Sequence, residues 1–329
     1  MQLRLGTRGS ALATTQSGWF ADRLMERHPG LKVELVIIKT SGDRFSAEIN
    51  EGKRAEPGAG AEDGSPDAPN VKAMFVKEIE TALLDGSVDL AVHSSKDLPA
   101  QTPGGLAIAA FPKREDPRDA FIGRSSGSGI EDLPQGAVVA TASLRRQLQL
   151  KEARPDLRFV PIRGNVDTRL RKLRKGEAEG LMLAEAGLKR LGMGTVKRRR
   201  LSADLVVPAP GQGALAVETR DSGEARDLVA ALDDATTRLE VELERAVLER
   251  VGGGCATPLG VLARAEDDRV RVWAFWSDAA GKSPIREKLD CPREPAAIAD
   301  LIETLASRLT GLPHRPPSER SVERPFRDH

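Results

Sequence analysis

The chain has 329 residues, of which 40% are hydrophobic and 30% charged, with a formal net charge of +1 and two cysteines. That length supports two or three domains with separate cores, and the balanced charge argues against a nucleic-acid or membrane partner for the molecule as a whole. Aromatics at 3%, with no tyrosine, leave little for base or sugar stacking; two cysteines fit a reducing compartment rather than a disulfide framework; and with no apolar signal core or transmembrane-length stretch, a cytoplasmic protein is expected.

Short apolar runs alternate with helical periodicity, which predicts an α/β fold. Strands are expected at 3–6, 33–39, 88–92, 106–111, 137–141, 159–162 and 180–183, and helices at 11–27, 72–84, 144–153, 166–175 and 185–191. Beyond Arg220 the pattern changes to a smaller α+β unit, with helices over about 222–232 and 235–250, strands near 260–263 and 270–276, and a last amphipathic helix over about 295–309. Residues 51–70 and 312–329 carry too few large apolar side chains to pack and read as disordered. Pro208-Ala209-Pro210-Gly211-Gln212-Gly213, stiff and then flexible between apolar stretches, reads as a hinge or crossover.

One device recurs: a strand, a short polar turn carrying arginine, then a helix. It occurs at Gly6-Thr7-Arg8-Gly9-Ser10, at Thr141-Ala142-Ser143-Leu144-Arg145-Arg146 and at Ile162-Arg163-Gly164-Asn165-Val166-Asp167-Thr168-Arg169, with Ser10 and Ser143 as expected N-caps. In an α/β sheet such turns lie at the carboxyl ends of strands, where ligands bind. Free backbone N–H groups and the helix dipole favour an anion there, and arginine adds a fork matched to carboxylate or phosphate. No Gly-Lys-Ser/Thr follows a glycine run, so this is not a nucleotide P-loop. A single such arginine is ordinarily a solvated surface residue; three in the same construction point to a polyanion site.

A fourth turn, His93-Ser94-Ser95-Lys96-Asp97-Leu98-Pro99, places Asp97 where a carboxylate would face the same cleft as the arginines. Among cations it suits stabilising a positive intermediate or shuttling a proton; an Asx-turn before Pro99 is the competing reading. His93, with no second ligand at metal spacing, reads as a structural hydrogen-bonder. Val251-Gly252-Gly253-Gly254-Cys255 ends a helical pattern with glycines that strip shielding side chains from a thiol. The helix C-terminus disfavours a thiolate, so a reactive Cys255 needs positive charge from elsewhere; residues 141–200 hold 17 Lys and Arg against 6 Asp and Glu. Cys291 has no motif around it and reads as structural.

These motifs, together with Thr40-Ser41-Gly42-Asp43, Phe75-Val76-Lys77-Glu78, Arg114-Glu115-Asp116-Pro117-Arg118-Asp119-Ala120, Ala186-Gly187-Leu188-Lys189-Arg190-Leu191-Gly192 and Gly211-Gln212-Gly213, occur in an order that closely resembles the porphobilinogen deaminase (hydroxymethylbilane synthase) family over about residues 3–311. The resemblance implies two periplasmic-binding-protein-like lobes with mixed β-sheets, residues 1–112 with 213–231 and residues 113–212, plus a small α+β C-terminal domain over 232–311 and a disordered tail over 312–329. It implies a transferase of porphyrin and heme biosynthesis that condenses four porphobilinogen molecules head to tail with loss of ammonia. The product is the linear tetrapyrrole hydroxymethylbilane, built on a dipyrromethane cofactor held by a thioether to Cys255. By position, Arg8, Ser10, Thr141, Ser143, Arg145, Arg146, Arg163, Asn165, Arg169 and Arg190 match residues that hold cofactor and substrate carboxylates. Lys96 matches a cofactor-side lysine, and Asp97 the catalytic carboxylate that stabilises the cationic azafulvene left when ammonia departs. Lys72 and Phe75 align with cofactor- and substrate-binding residues in the family's flexible loop, which residues 51–70 expand. No metal or nucleotide is required, and a monomer is expected. A non-catalytic two-lobed anion-binding protein would give Cys255 no role, and an RNA-binding protein would predict aromatic platforms or a continuous basic face.

Overall fold

The computed structural model describes residues 1–42, 74, 76–252, 257–278, 280–311, 313 and 314. The 51–70 segment, and the 312–329 tail apart from Pro313 and His314, lie outside the described residues, as do Lys72, Phe75 and Cys255.

The first sheet has the order β2-β1-β3-β10-β4, built from β1 (Gln2–Thr7), β2 (Lys32–Ile37), β3 (Leu90–Ser94), β4 (Leu106–Ala110) and β10 (Leu215–Arg220). β1 runs parallel to both β2 and β3, with Leu3 opposite Val33 and Leu5 opposite Leu90, whereas β10 is antiparallel to β3 and β4. Helix α1 (Ala11–Arg27) makes the crossover from β1 to β2; Phe20, Ala21 and Leu24 turn its buried face onto Leu3, Leu5, Leu90 and Val217. Helix α2 (Lys77–Leu84) precedes β3 and buries Ile79 and Leu83.

The second sheet repeats the plan: β7-β6-β8-β5-β9, built from β5 (Asp119–Gly123), β6 (Val138–Ala140), β7 (Arg158–Val160), β8 (Gly180–Ala184) and β9 (Arg199–Arg200). β6 is parallel to β7 and β8, and β5 is antiparallel to β8. Helices α3 (Leu144–Ala153), α4 (Val166–Arg174) and α5 (Glu185–Arg190) link or follow the parallel strands. The chain therefore leaves the first sheet after β4 and returns to it at β10, and the Pro208–Gly213 run belongs to the return crossover.

After α6 (Glu224–Ala230), the third unit packs α7 (Ala235–Val251) and α8 (Pro295–Thr310) on an antiparallel meander of β11 (Gly260–Ala265), β12 (Arg269–Trp276) and β13 (Ile285–Pro292). Leu243, Val247, Val261, Val272, Leu301 and Leu305 form its core. The class is α/β, with two mixed-sheet lobes and a small α+β C-terminal unit. No helix among the described residues is long and apolar enough to cross a membrane.

The expected elements are all present with shifted ends, the expected 88–92 strand running as Leu90–Ser94 and the 159–162 strand as Arg158–Val160. Helix α2 starts at Lys77 rather than at residue 72, with Val76 as its N-cap residue. Four strands escape the sequence pattern: β5, β9, β10 and β13. β5 and the first five residues of β10 are buried on both faces, so they carry no period-2 alternation. β13 does alternate, but much of its sequence, IREKLDCP, is charged.

Candidate functional site

The parallel strands of both sheets end at one cleft of about 540 Å³ between the lobes. The turn after β1 brings Arg8 and Ser10, and the single 3₁₀ turn Ser95–Asp97 after β3 brings Lys96 and Asp97. From the second lobe come Arg146 at the start of α3, Arg163, Asn165 and Arg169 at the start of α4, and Arg190 at the end of α5. Ligand sites at the carboxyl ends of strands are the general rule for open α/β sheets; here two sheets supply one site from opposite sides.

Two caps form as the residue types require. Ser10 accepts from Ala13 N at 3.3 Å, and Asn165 Oδ1 accepts from Thr168 N at 2.9 Å. Gly164 between Arg163 and Asn165 has φ +105°, and a Cβ there would meet Thr168 Cγ2 at 2.8 Å, so the turn demands glycine. The cap fixes α4, and Arg169 one turn on donates its Nε to Gly164 O at 2.8 Å. Arg190 donates Nη2 to Gly213 O at 2.7 Å, tying α5 to the return crossover. Burial pushes Arg190 down to about 10 despite the pull of Glu115. Burial also lowers Arg169, and the positive charges of Arg146 and Arg163 push it further the same way. Lys96 keeps part of its surface in the cleft, yet the atoms crowded around its ammonium push its pKa down to about 8. Asp97 and Asp119 pull upward, while Arg146 and Arg145 push down.

Among the described residues, six cationic side chains thus line the cleft against two carboxylates, Asp97 and Asp167. That surplus sets up a site for a ligand carrying several negative charges. Leu12, Val166, Leu183 and Leu191 supply apolar wall between the charges, where flat rings can lie.

Three expected binding residues stand elsewhere. Arg145 is buried and bonds Asp119 Oδ2 at 2.9 Å and the carbonyl of Val207, away from the cleft lining. The reason is rotational: neighbours on a helix point about 100° apart, so Arg146 reaches the cleft and Arg145 the interior. Thr141 is also buried and outside the lining; its Oγ1 accepts from Ser143 N at 3.2 Å. Ser143 occupies the N-cap position of α3 without the expected side-chain cap bond, and does not line the cleft.

Sequence reasoning gave no role to Gln16, Ser94, Asp119 or Gln212. Gln16 and Ser94 line the cleft and hydrogen-bond each other at 3.3 Å. Asp119, fully buried at the start of β5, accepts from Arg145 and, at 2.6 Å, from Arg146. Burial works to raise it, but the two guanidiniums outweigh burial and hold it far below the usual carboxylate range. Its only sequence signal was its place in the Arg114–Ala120 motif. His93 bonds buried Glu218 at 3.1 Å, a structural role.

Sequence comparison finds two family matches. "Porphobilinogen deaminase, dipyromethane cofactor binding domain" matches residues 3–227, and "Porphobilinogen deaminase, C-terminal domain" matches residues 238–310. The porphobilinogen deaminase of Syntrophotalea carbinolica is 44% identical over 309 residues, covering 93% of each chain. That of Syntrophus aciditrophicus is 43% identical over 314 residues, covering 93% of this chain and 94% of its own. That of Clostridioides difficile is 39% identical over 299 residues, covering 89% and 94%. Among solved structures, a methionine-binding protein aligns with a TM-score of 0.41 at 13% identity, over 70% of this chain and 89% of that one.

Proposed function

The chain belongs to the porphobilinogen deaminase family, and we propose that its inter-lobe cleft is the active site, with Asp97 as the catalytic carboxylate and Cys255 as the cofactor anchor. The reaction is the stepwise head-to-tail condensation of four porphobilinogen molecules, with loss of ammonia, to hydroxymethylbilane; the enzyme is a transferase and carries a dipyrromethane cofactor. When bound, that cofactor supplies the anchored pyrrole chain to which substrate units are added and from which water releases the product.

The residues present fit such a group. Each pyrrole unit bears an acetate and a propionate, so the growing chain is a polycarboxylate. The observation that carries the reading is the meeting of cationic side chains from two sheets around Asp97 in one cleft. Arg8, Ser10, Arg163, Asn165, Arg169 and Arg190 would bind and orient those carboxylates. Lys96, beside Asp97, would serve the cofactor side. Arg146 lines the cleft with its guanidinium held by Asp119, so it offers a fixed N–H face. Arg145, Thr141 and Ser143 would act one layer back, through the placement of α3. Asp97 would accept from the pyrrole N–H groups and stabilise the positive charge that develops on the substrate as ammonia leaves. Lys72 and Phe75, outside the described residues, would bind cofactor or substrate. Cys255 follows α7, whose end is turned by Gly252 at φ +71°, and its thiol would lose its proton as the thioether forms.

The same reading makes the chain a cytoplasmic monomer in three domains, 1–112 with 213–231, 113–212 and 232–311. The domain division is supported by β1–β4 sharing a sheet with β10, β5–β9 forming a second and β11–β13 a third.

The test is Asp97→Asn, which keeps size and hydrogen bonding and removes the charge. Turnover should fall at least about a hundredfold, the scale of losing a preorganised electrostatic group. Peptide mapping of the same variant should still find the pyrrole adduct on Cys255. Activity within a few-fold of the parent would overturn the role of Asp97; active enzyme with unmodified Cys255 would overturn the anchor.

A further inference from the structure

Gln212 lies in the return crossover, 1% exposed, with each polar atom of its amide engaged. Its Nε2 donates to Pro117 O at 2.7 Å and to Asp119 Oδ1 at 2.9 Å, while its Oε1 accepts from Lys96 Nζ at 3.5 Å. Pro117 O and the Asp119 carboxylate can only accept and an ammonium can only donate, so the amide has one orientation. The backbone is fixed as well: Gln212 N donates to Ala209 O at 2.9 Å, and Gln212 O accepts from Arg114 Nε at 3.0 Å. The next residue, Gly213, has φ +88°, and a Cβ there would stand 2.4 Å from Glu115 O, so the two crossovers press together at this point.

The result is a relay. Asp119 gathers Arg145 and Arg146 of the second lobe, and Gln212 passes from Asp119 to Lys96 of the first. A carboxylate in the place of the Gln212 amide would neutralise Lys96; the amide orients its ammonium without giving it a full counter-charge.

We propose that Gln212 is a positioning residue for the condensation, holding Lys96 across the lobe junction in the orientation from which its ammonium meets a carboxylate of the pyrrole chain. This rests on the reading of Lys96 as a binding residue. Among the described residues, Asp97 in its own turn, Asp119 on β5, and Arg145 and Arg146 on α3 bear on Lys96. All four remain when only Gln212 is changed. Removing the amide acceptor disfavours the protonated form, so the lysine must then titrate at lower pH.

The experiment is the pH dependence of kcat/KM for porphobilinogen with holoenzymes of wild type, Gln212→Met, Gln212→Asn, Lys96→Met and the double variant Gln212→Met with Lys96→Met. Wild type should lose kcat/KM on the alkaline side as Lys96 gives up its proton, and Lys96→Met should remove that limb. Gln212→Met should lower kcat/KM about five-fold, the worth of one hydrogen bond, and move the limb down by about half a pH unit. In the Lys96→Met background the same substitution should cost nothing further, because its effect runs through Lys96. Gln212→Asn keeps an amide but shortens its reach by one methylene, so its limb should also move down. That variant alone decides if Gln212→Met yields no folded holoenzyme: an unmoved or raised limb overturns the proposal. Additive losses in the double variant overturn it while leaving the role of Lys96 intact. A Lys96→Met enzyme with unchanged kcat/KM overturns both.

Discussion

Behind the cleft, Arg114 is enclosed, its side chain 3% exposed, with its guanidinium forked onto Glu244 at 2.7 and 2.9 Å and reaching Glu240 at 3.3 Å. At the cleft wall, Arg190 is also largely buried but is held by a backbone carbonyl. Burial penalises both charges, and the outcomes have opposite sign. For Arg114 the two glutamates outweigh burial and the pKa rises; for Arg190 burial wins and it falls to about 10. Glu244 is itself pushed up by its enclosure, which Arg114 and the N–H groups of Gly211 and Ala263 offset only in part. The bidentate geometry, with every carboxylate oxygen engaged, argues for an ionised pair. Arg114, whose counter-charge comes from the chain, builds the fold; Arg190, held by a carbonyl at the cleft wall, keeps a charge to offer a ligand.

Removing Arg114 is the hardest test of that contrast. Glu244 accepts from Gly211 N in the return crossover and Ala263 N on β11 as well as from Arg114 in the outgoing one, so it ties both crossovers to the third unit at one point. Arg114→Met would strand the buried Glu244 without its cation and leave Glu240 with Arg264 at 3.2 Å as its cation, and urea unfolding should show a loss of about 3–5 kcal/mol. A loss under about 1 kcal/mol would mean that packing, and not the charge pair, holds the junction.

Arg190→Met should behave in the reverse way. Its charge is buried at a cost, so stability should change by no more than about 1 kcal/mol, the worth of the bond to Gly213 O. KM for porphobilinogen should rise about ten-fold or more, as expected for losing a charge-assisted contact to a carboxylate. If unfolding stability collapsed while KM held, Arg190 would belong with Arg114 and the contrast would fail.

Only part of this contrast is legible in sequence. The turns after β1 and β7 announce themselves because an apolar run, a polar arginine turn and a capped helix are local features; Ser10 and Asn165 do cap as their types require. The family pattern assigns Arg145 and Arg146 alike, since they are adjacent and identical; only the helix phase, fixed by what α3 packs on, sends one to the cleft and one to Val207. Asp119 and Gln212 lie 93 positions apart, and their contact exists only once two crossovers lie side by side. β10 is invisible for a related reason, as a short strand buried between β3 and β4 in a sheet it rejoins late in the chain. Local chemistry survives in the sequence; contacts made by the return of the chain do not.

The smallest effect is expected where the third unit meets the second lobe at the surface. Asp204 takes the indole N–H of Trp273 at 2.8 Å and the Lys288 ammonium at 3.0 Å, and Lys288 lies over the Trp273 ring at 5.0 Å. By distance these bonds rival those of Arg114. The Trp273 bond, foremost, and then Lys288 lower the Asp204 carboxylate. Yet the side chains of Lys288 and Asp204 are 53% and 64% exposed, so water competes for both charges and salt screens them. Asp204→Ala should therefore cost no more than about 1 kcal/mol and leave kcat and KM within about two-fold, since nothing in it reaches the cleft. Added salt should shrink even that loss. A loss near that of Arg114→Met would show that short distance alone decides what an ion pair contributes here, and that the division drawn by burial and counter-charge is wrong.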